Sequence, residues 1–352
     1  MKKLISLTLA LTLLLALLTG CAGQPATGQN GGQTQPPDAS GEPPADGAAV
    51  KTGLSVIADV SKSQDASAEG DGQAQANISL VAVTVGDDGV IDGCVIDMVQ
   101  TSIGFSAAGL LTTDPTVTFP SKDELGRDYG MHNASSIGKE WNEQAAAMAE
   151  YAVGKTVEQL KGIAVNEKGA PTDADLASSV TLSIGGFLTG IEKAVGNAAH
   201  LGAQKGDQLK LAAVTSMDGS RDAAADAEGL AQTSTTLAAV TSNGDTVTSC
   251  VIDAVQTDVS FTAAGVITTD LTAGQPTKNE MGDDYGMKKA SSIGKEWYEQ
   301  AAAFAAYVTG KTVDQVGGIA VTDIGKAQDA ELVASVTIGI SDFQTVILKA
   351  AQ

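Results

Sequence analysis

The sequence has few of the residues that build metal centres and disulfide frameworks. It contains three cysteines and two histidines in 352 residues. Only Cys94 and Cys250 follow Cys21, and two cysteines are too few for a disulfide framework. Neither His132 nor His200 has a matching histidine in the other half of the chain. We therefore expect no metal site built from histidine and cysteine ligands.

Positive charge is also scarce. The chain has 21 Lys and Arg against 42 Asp and Glu, which gives a formal net charge of −21 at pH 7. A chain of this charge is not attracted electrostatically to nucleic acid or to anionic lipid. It could attract cationic small molecules or metal ions, although solubility alone accounts for most such charges. Nucleic acid is therefore excluded as an expected partner.

Long apolar runs are absent from the chain except at its beginning. Lys2 and Lys3 precede an apolar run, Leu4–Leu18, which ends in small residues directly before Cys21. A basic and then apolar leader of this length is typical of a secretory signal peptide. A cysteine directly after the cleavage point is typical of a bacterial lipoprotein, whereas the alternative is an ordinary signal peptide with a chance cysteine. We expect lipidation of Cys21 and a location at the extracytoplasmic face of the cell membrane.

The sequence divides into four segments. Residues 1–20 are the predicted signal peptide, and residues 21–50 are rich in Gly, Gln and Pro, which predicts a disordered tether. The remainder is a tandem repeat, because several segments recur at one constant offset. A repeat this long indicates two duplicated domains, which we place at 51–200 and 206–352. The recurring segments are Cys94–Asp97 with Cys250–Asp253, Tyr129–Met131 with Tyr285–Met287, and Ser135–Trp141 with Ser291–Trp297.

Each repeat has strand patterns first and helix patterns later. In the first repeat, Ile78–Val85 and Val90–Val99 flank a turn and predict a β-hairpin. The order of patterns predicts an α+β fold in which each domain is an antiparallel sheet with packed helices. A buried free thiol is expected on the equivalent strand of each domain. The other predicted elements are a short strand at Gly109–Thr113 and helices over Ile137–Tyr151, Thr156–Ile163 and Asp175–Val195.

Two groups of repeated residues are candidates for function. Tyr129-Gly130-Met131 and Tyr285-Gly286-Met287 lie in polar loops, where tyrosine and methionine could stack against a planar ligand. In the alternative interpretation, the tripeptide only shapes the loop and its glycine supplies a backbone bend. Ser179-Val180-Thr181 and Ser335-Val336-Thr337 form the second group. We expect them to open the last helix of each domain, as helix caps or as a phosphate site.

The second group carries a family resemblance. Asp175 to Thr181 resembles the flavinylation motif of the FMN-binding domain family, Asp-x-x-Ser-Gly-Ala-Thr. Ser179 and Val180 stand where that family usually has Gly and Ala. In the second repeat, Thr337 is retained but Glu331 replaces the aspartate. Two tandem copies behind a lipoprotein leader are similar to flavin-bearing surface lipoproteins of Gram-positive extracellular electron transfer.

The resemblance implies a specific chemistry. In that family a flavin transferase moves FMN from FAD onto the motif threonine through a phosphoester bond. For this chain it implies two covalent FMN groups, at Thr181 and Thr337, with Ser179, Ser335 and Asp175 as further motif residues. We expect Tyr129 and Tyr285 to lie near the isoalloxazine rings.

The resemblance also implies partners. They are a quinone-linked electron donor in the membrane and extracellular electron acceptors, so that the protein is an electron carrier rather than a stand-alone enzyme. The alternative is a non-redox surface binding module. A further role, in which the cleaved leader from Leu14 to Gly20 acts as a signalling peptide, rests on the resemblance alone.

Overall fold

A computed structural model describes residues 47–351. The predicted signal peptide, Cys21 and nearly all of the predicted tether lie outside these residues. In the described part of the chain, no helix has both the length and the apolar character needed to cross a membrane. Residues 47–351 form one compact unit that contains both repeats.

The first repeat forms an antiparallel sheet of three strands followed by short and medium helices. The strands are β1 (Lys51–Asp59), β2 (Gly72–Val85) and β3 (Ile91–Phe105), in the order β1-β2-β3. The helices are α1 (Lys122–Leu125), α2 (Trp141–Ala152), α3 (Val157–Lys161), α4 (Ala174–Ala177) and α5 (Gly185–Gly196), with 3-10 turns at Gly126–Tyr129 and Met131–Asn133.

The second repeat has the same elements in the same order. Its strands are β4 (Gln208–Ser216), β5 (Gly229–Asn243) and β6 (Thr246–Phe261), in the order β4-β5-β6. Its helices are α6 (Lys278–Met281), α7 (Trp297–Val308), α8 (Val313–Gly317), α9 (Ala330–Val333) and α10 (Ser341–Ala350), with 3-10 turns at Gly282–Tyr285 and Met287–Lys289. Register is also kept, since Val83 pairs with Cys94 and Val240 with Cys250.

Each sheet buries both of its faces. One face packs against the helices of the same repeat, through residues such as Val81, Val83 and Ile96 on the first sheet. The other face packs against the sheet of the other repeat, through residues such as Ile78 and Leu80. Because side chains alternate along a strand, neighbouring residues of β2 serve two different cores. The molecule therefore has four layers, in the order helices, sheet, sheet, helices.

The two repeats are related by an approximate two-fold axis. Phe105 and Phe261 stack in the central core with ring centroids 4.2 Å apart. The ammonium of Lys193 in α5 lies 2.6 Å from the Glu280 carboxylate of the second repeat. Reciprocally, Lys349 in α10 lies 2.7 Å from Glu124 of the first repeat. Contacts that are exchanged in this way are typical of a self-complementary interface between two copies of one unit.

The structure confirms the α+β fold and corrects several boundaries. The predicted hairpin and the helices α2 and α3 are present. Helix α2 begins only at Trp141, where the Glu143 carboxylate accepts a hydrogen bond from the Glu140 N–H over 2.7 Å. The predicted strand at Gly109–Thr113 is wrong. Only Leu111 forms a bridge, to Phe105, because the chain turns back directly on the end of β3. The sequence interpretation missed β1.

The two thiols of the described residues are free. The expectation of a buried thiol holds for Cys250 on β6, whereas Cys94 at the equivalent place on β3 is half-buried. Burial raises the pKa of each thiol to about 12. Because only the thiolate is a good nucleophile, this shift lowers the reactivity of both thiols at neutral pH.

Candidate functional site

The segment that contains Thr181 is held by two buried aliphatic side chains. The Asp173 side chain caps α4 by accepting hydrogen bonds from the backbone of Asp175 and Leu176. Leu176 and Val180 are both buried in the helix-side core, and the Val180 N–H donates to the Leu176 carbonyl over 2.8 Å. Thr181 follows immediately and is exposed. The buried Leu176 and Val180 side chains thus fix the backbone on the core side, while Thr181 stays at the surface.

The prediction of one helix over Asp175–Val195 is wrong. The structure has α4 and then an irregular stretch, and α5 begins only at Gly185. Thr181 and Thr337 lie in this irregular stretch of each repeat rather than at the start of the last helix. The physical reason is that the Thr181 N–H donates to the side chain of Gln144 instead of to a backbone carbonyl. The N–H group needed for helix-terminal phosphate binding is therefore already used.

Gln144 joins the threonine to a second loop. This side chain lies in α2 and is fully buried. Its Oε1 accepts hydrogen bonds from the N–H and the hydroxyl of Thr181, at 2.8 and 3.2 Å. Its Nε2 donates to the Ser135 hydroxyl and to the Lys139 carbonyl, each over 3.3 Å. Every polar atom of the amide is therefore satisfied, which a fully buried glutamine requires.

The second repeat reproduces this geometry with Gln300. Its Oε1 accepts from the N–H and the hydroxyl of Thr337, again at 2.8 and 3.2 Å. Its Nε2 donates to the Lys295 carbonyl over 3.1 Å and contacts the Met287 sulfur at 3.7 Å. Gln300 therefore connects the threonine directly to the Tyr-Gly-Met loop. Thr337 is half-buried, whereas Thr181 is exposed.

A buried carboxylate shapes the Tyr-Gly-Met loop. Glu140 is 1% exposed and accepts hydrogen bonds from the backbone N–H groups of Met131 and His132, at 2.9 and 3.1 Å, and from the His132 ring. Burial opposes ionisation of Glu140, but these hydrogen bonds outweigh it and lower its pKa. Glu296 accepts the equivalent bonds from Met287 and Lys288, both at 2.8 Å.

The loop tyrosines are in contact with a lysine. The Lys122 ammonium lies 4.4 Å from the centre of the Tyr129 ring and 5.0 Å from that of Trp141. In the second repeat, Lys278 lies at 5.0 Å from Tyr285 and at 5.1 Å from Trp297. Contacts at these distances are attractive between a cation and the face of an aromatic ring. One face of each tyrosine is therefore already occupied by an ammonium group.

The bend at the loop glycines also has a structural role. Gly130 has φ 79° and Gly286 has φ 79°, in the left-handed region, and each ends a 3-10 turn. A side chain at this φ is strained, so glycine is favoured there. This observation supports the loop-shaping interpretation of Tyr-Gly-Met. Contact between the tyrosines and a flavin stays a prediction.

The remaining motif residues take no part in the glutamine network. Asp175 lies exposed in the first turn of α4, and in the described residues no hydrogen bond joins its carboxylate to Thr181. Ser179 and Ser335 are half-buried, and the Ser335 hydroxyl donates to the Leu332 carbonyl over 3.1 Å. The structure thus brings together each threonine, its glutamine and the loop before α2 or α7.

Sequence reasoning missed the residues that organise the site. Gln144, Glu140 and Lys122 recur as Gln300, Glu296 and Lys278 at the same offset as the segments noted above. The repeat alone could have singled them out, because each of these polar residues is kept in both halves. What the sequence could not supply is that Gln144 faces a loop 37 residues further along the chain.

Two further buried carboxylates recur beneath the loops. Asp97 on β3 accepts from the N–H of Asp123, and Asp253 on β6 accepts from that of Asn279, at 3.0 and 3.1 Å. Burial raises the pKa of both, and that of Asp253 to about 6. Each carboxylate holds the first turn of the short helix that carries the buried or half-buried lysine. Between Gly47 and Ala351, no cluster of three or more histidine, cysteine or acidic side chains could hold a metal ion.

Comparison with known proteins gives little. No protein-family profile and no solved structure matches this chain. A segment of 40 residues is 52% identical to part of a chlorophenol reductase from Desulfitobacterium hafniense. The match covers 11% of this chain and 12% of the length of that reductase, so it does not show a family.

Proposed function

We propose that this chain is a lipid-anchored, extracytoplasmic electron carrier with FMN covalently attached to Thr181 and Thr337. The observation that carries the proposal is the duplicated environment of these residues. In both repeats a threonine at or near the surface donates its hydroxyl proton to a buried glutamine over 3.2 Å. The motif resemblance assigns the same two threonines.

The residues fit the group they would hold. A hydroxyl at the protein surface is open to a transferase and leaves room for a large ester. Gln144 and Gln300 would fix the threonine backbone, since the N–H bond at 2.8 Å does not depend on the hydroxyl proton. FMN would supply reversible electron transfer, while the protein supplies orientation and environment.

Attachment would transfer FMN from FAD to the threonine hydroxyl. The Thr Oγ1 bonds to the FMN phosphorus of FAD, the bond from that phosphate to AMP breaks, and the hydroxyl proton leaves with AMP as the other product. Gln144 then keeps the backbone N–H of Thr181 as its donor. A flavin transferase is therefore a required partner in this proposal.

The predicted lipid anchor and tether would place the folded unit between an electron donor and its acceptors. A lipid on Cys21 and a tether of about 30 residues would hold the folded unit near a quinone-linked membrane donor. Extracellular acceptors would take electrons from the flavins. The resemblance alone suggests these two partners.

The flavin is tested with threonine variants and matched controls. The protein is produced with an active flavin transferase, denatured, and separated on a gel that is viewed for flavin fluorescence. Wild type should fluoresce, Thr181→Ala and Thr337→Ala should each lose part of the signal, and the double variant should be dark. Thr189→Ala and Thr345→Ala are controls, because these threonines lie at equivalent exposed places on α5 and α10.

Two outcomes would contradict the proposal. Wild-type protein that stays dark with an active transferase would favour the non-redox binding module. Equal fluorescence in the double variant and the wild type would place the flavin elsewhere.

The anchor is tested separately. Cys21→Ala should release the protein from the membrane fraction or leave the leader uncleaved. A variant that remains membrane-bound with a normally processed N-terminus would contradict the lipoprotein assignment.

A further inference from the structure

A cavity of about 350 Å³ opens beside β6, the strand of the second repeat that carries Cys250. Its floor is β6 at Cys250 and Ile252, and its wall is α7 at Ala302, Ala305 and Ala306. This volume lies within the usual range for small-molecule sites. A cavity of about 150 Å³ is enough for benzene, so this one has room for two fused rings.

The polar groups of the lining are already bonded within the protein. The Tyr298 hydroxyl donates to Asp283 over 3.4 Å, and the Asn279 amide donates to the Ile252 carbonyl over 2.9 Å. The Thr309 hydroxyl donates to the Ala305 carbonyl over 3.0 Å. The cavity therefore offers mainly apolar contact, and no charged side chain lines it. A charged ligand would lose its hydration there without gaining a partner.

The linker between the repeats forms one rim of the cavity. Leu201 lines it while remaining 41% exposed. The next residue, Gly202, has φ 116°, and a Cβ there would lie 2.4 Å from the Thr248 carbonyl oxygen. Only glycine allows this close approach of the linker to β6. The backbone thus fixes Leu201 at the mouth.

The equivalent cavity of the first repeat differs in charge. Its volume is about 270 Å³, and it is lined by Asp123, Asn142 and Glu150 where the second repeat has Asn279, Tyr298 and Ala306. All three differences go in one direction, because the second repeat loses two carboxylates and gains an aromatic ring. The two cavities therefore suit different ligands.

We infer that the cavity between β6 and α7 of the second repeat binds an uncharged aromatic compound of about two fused rings. Apolar contact with Ile252 and the α7 alanines supplies the affinity, and Tyr298 stacks or packs edge-on against the ring. Leu201 covers the ligand from the linker side. The inference does not depend on the flavin proposal, because Thr337 does not line this cavity.

The test uses prodan, an uncharged naphthalene dye whose emission shifts in an apolar site. The full chain is produced without flavin transferase, so that no flavin emission interferes. Wild type should bind prodan saturably at one site per chain. Ala302→Phe fills the cavity and should weaken binding at least about tenfold. Ala306→Glu, which copies Glu150 of the first repeat, should also weaken it.

Matched controls make the result specific. Ala146→Phe changes the equivalent exposed alanine of α2, in the acidic cavity, and should bind prodan as wild type does. Thermal unfolding shows whether each variant is folded. Ala302 and Ala146 are both exposed, so their phenylalanine variants should fold. The inference is overturned if wild type shows no saturable binding, if Ala302→Phe and Ala306→Glu bind normally, or if Ala146→Phe loses binding equally.

Discussion

Two fully buried glutamines, Gln144 and Gln300, hold each candidate site together. Each accepts from a threonine with one end of its amide and donates to the preceding loop with the other end. A buried amide with all partners in place specifies one arrangement, because any other leaves polar groups unpaired. The agreement of the distances in two copies indicates that this arrangement belongs to the repeat itself.

Replacing one glutamine should affect one repeat. Gln144→Leu keeps the volume but removes the bonds to Thr181 and Lys139, so the free energy of unfolding should fall by about 1–3 kcal/mol. Flavin attachment at Thr181 should fall while attachment at Thr337 is kept. Chemical denaturation and peptide mapping measure the two effects. Gln300→Leu is the reciprocal control, and a loss at both threonines from either variant would contradict the local role.

Asp253 should make stability depend on pH. Burial raises its pKa from 3.8 to about 6, so the folded state binds this proton more tightly than the unfolded state. The neutral carboxyl therefore contributes its full stability below about pH 4. As the pH rises through 6, the free energy of unfolding falls by up to about 3 kcal/mol. Asp253→Asn should gain stability relative to wild type over this interval, as measured by urea denaturation at several pH values.

A second variant accompanies this measurement. The stability of Asp97→Asn relative to wild type should change with pH in the same direction, because burial also raises the pKa of Asp97. The raised pKa is contradicted if the difference in free energy of unfolding between Asp253→Asn and wild type does not change between about pH 4 and pH 7.

Among the helices and strands, the sequence predicted those elements that a local residue pattern determines. The β2–β3 hairpin follows from two apolar runs around Gly86–Gly89, and α2 from its alanine-rich spacing. The sequence did not predict where a helix ends when a side chain far away along the chain determines that end. The helix predicted over Asp175–Val195 breaks at Thr181 because Gln144, far away in sequence, takes the backbone N–H. No local pattern contains that contact.

The packing of α5 on β1 depends on one glycine. A Cβ at Gly53 would lie 2.0 Å from the Ala194 carbonyl oxygen, and backbone cannot yield as a flexible side chain can. Gly53→Ala should therefore lower the free energy of unfolding by about 3 kcal/mol. Gly70→Ala is the matched control, since a Cβ there meets nothing within 4 Å. Equal stability of the two variants in denaturant would contradict this packing.

At the scale of the molecule, the two repeats share a core. The repeat itself was visible in the sequence, and the boundaries 51–200 and 206–352 stay a prediction for folding units. The central core could not be foreseen, because apolar residues on both faces of a strand do not reveal which partner covers each face. The facing sheets contribute Ile78, Leu80, Leu237 and the Phe105–Phe261 stack to one layer.

This shared layer changes what is expected of an isolated repeat. The sequence favoured independent cooperative folding of residues 206–352. The structure shows that such a fragment would expose the apolar face that carries Leu237 and Phe261. Exposed faces of this kind associate, and the approximate two-fold axis provides a ready geometry for self-pairing. We expect the fragment to be a homodimer or to aggregate in sedimentation velocity, whereas a folded monomer would contradict the shared core.

The intact mass of the mature protein made with an active flavin transferase decides whether both threonines carry flavin. We expect a mass increase of two FMN phosphoesters for wild type, one for Thr181→Ala, one for Thr337→Ala and none for the double variant. Thr189→Ala and Thr345→Ala should carry two. An unmodified wild-type mass, or an unchanged FMN count in the double variant, would contradict this expectation.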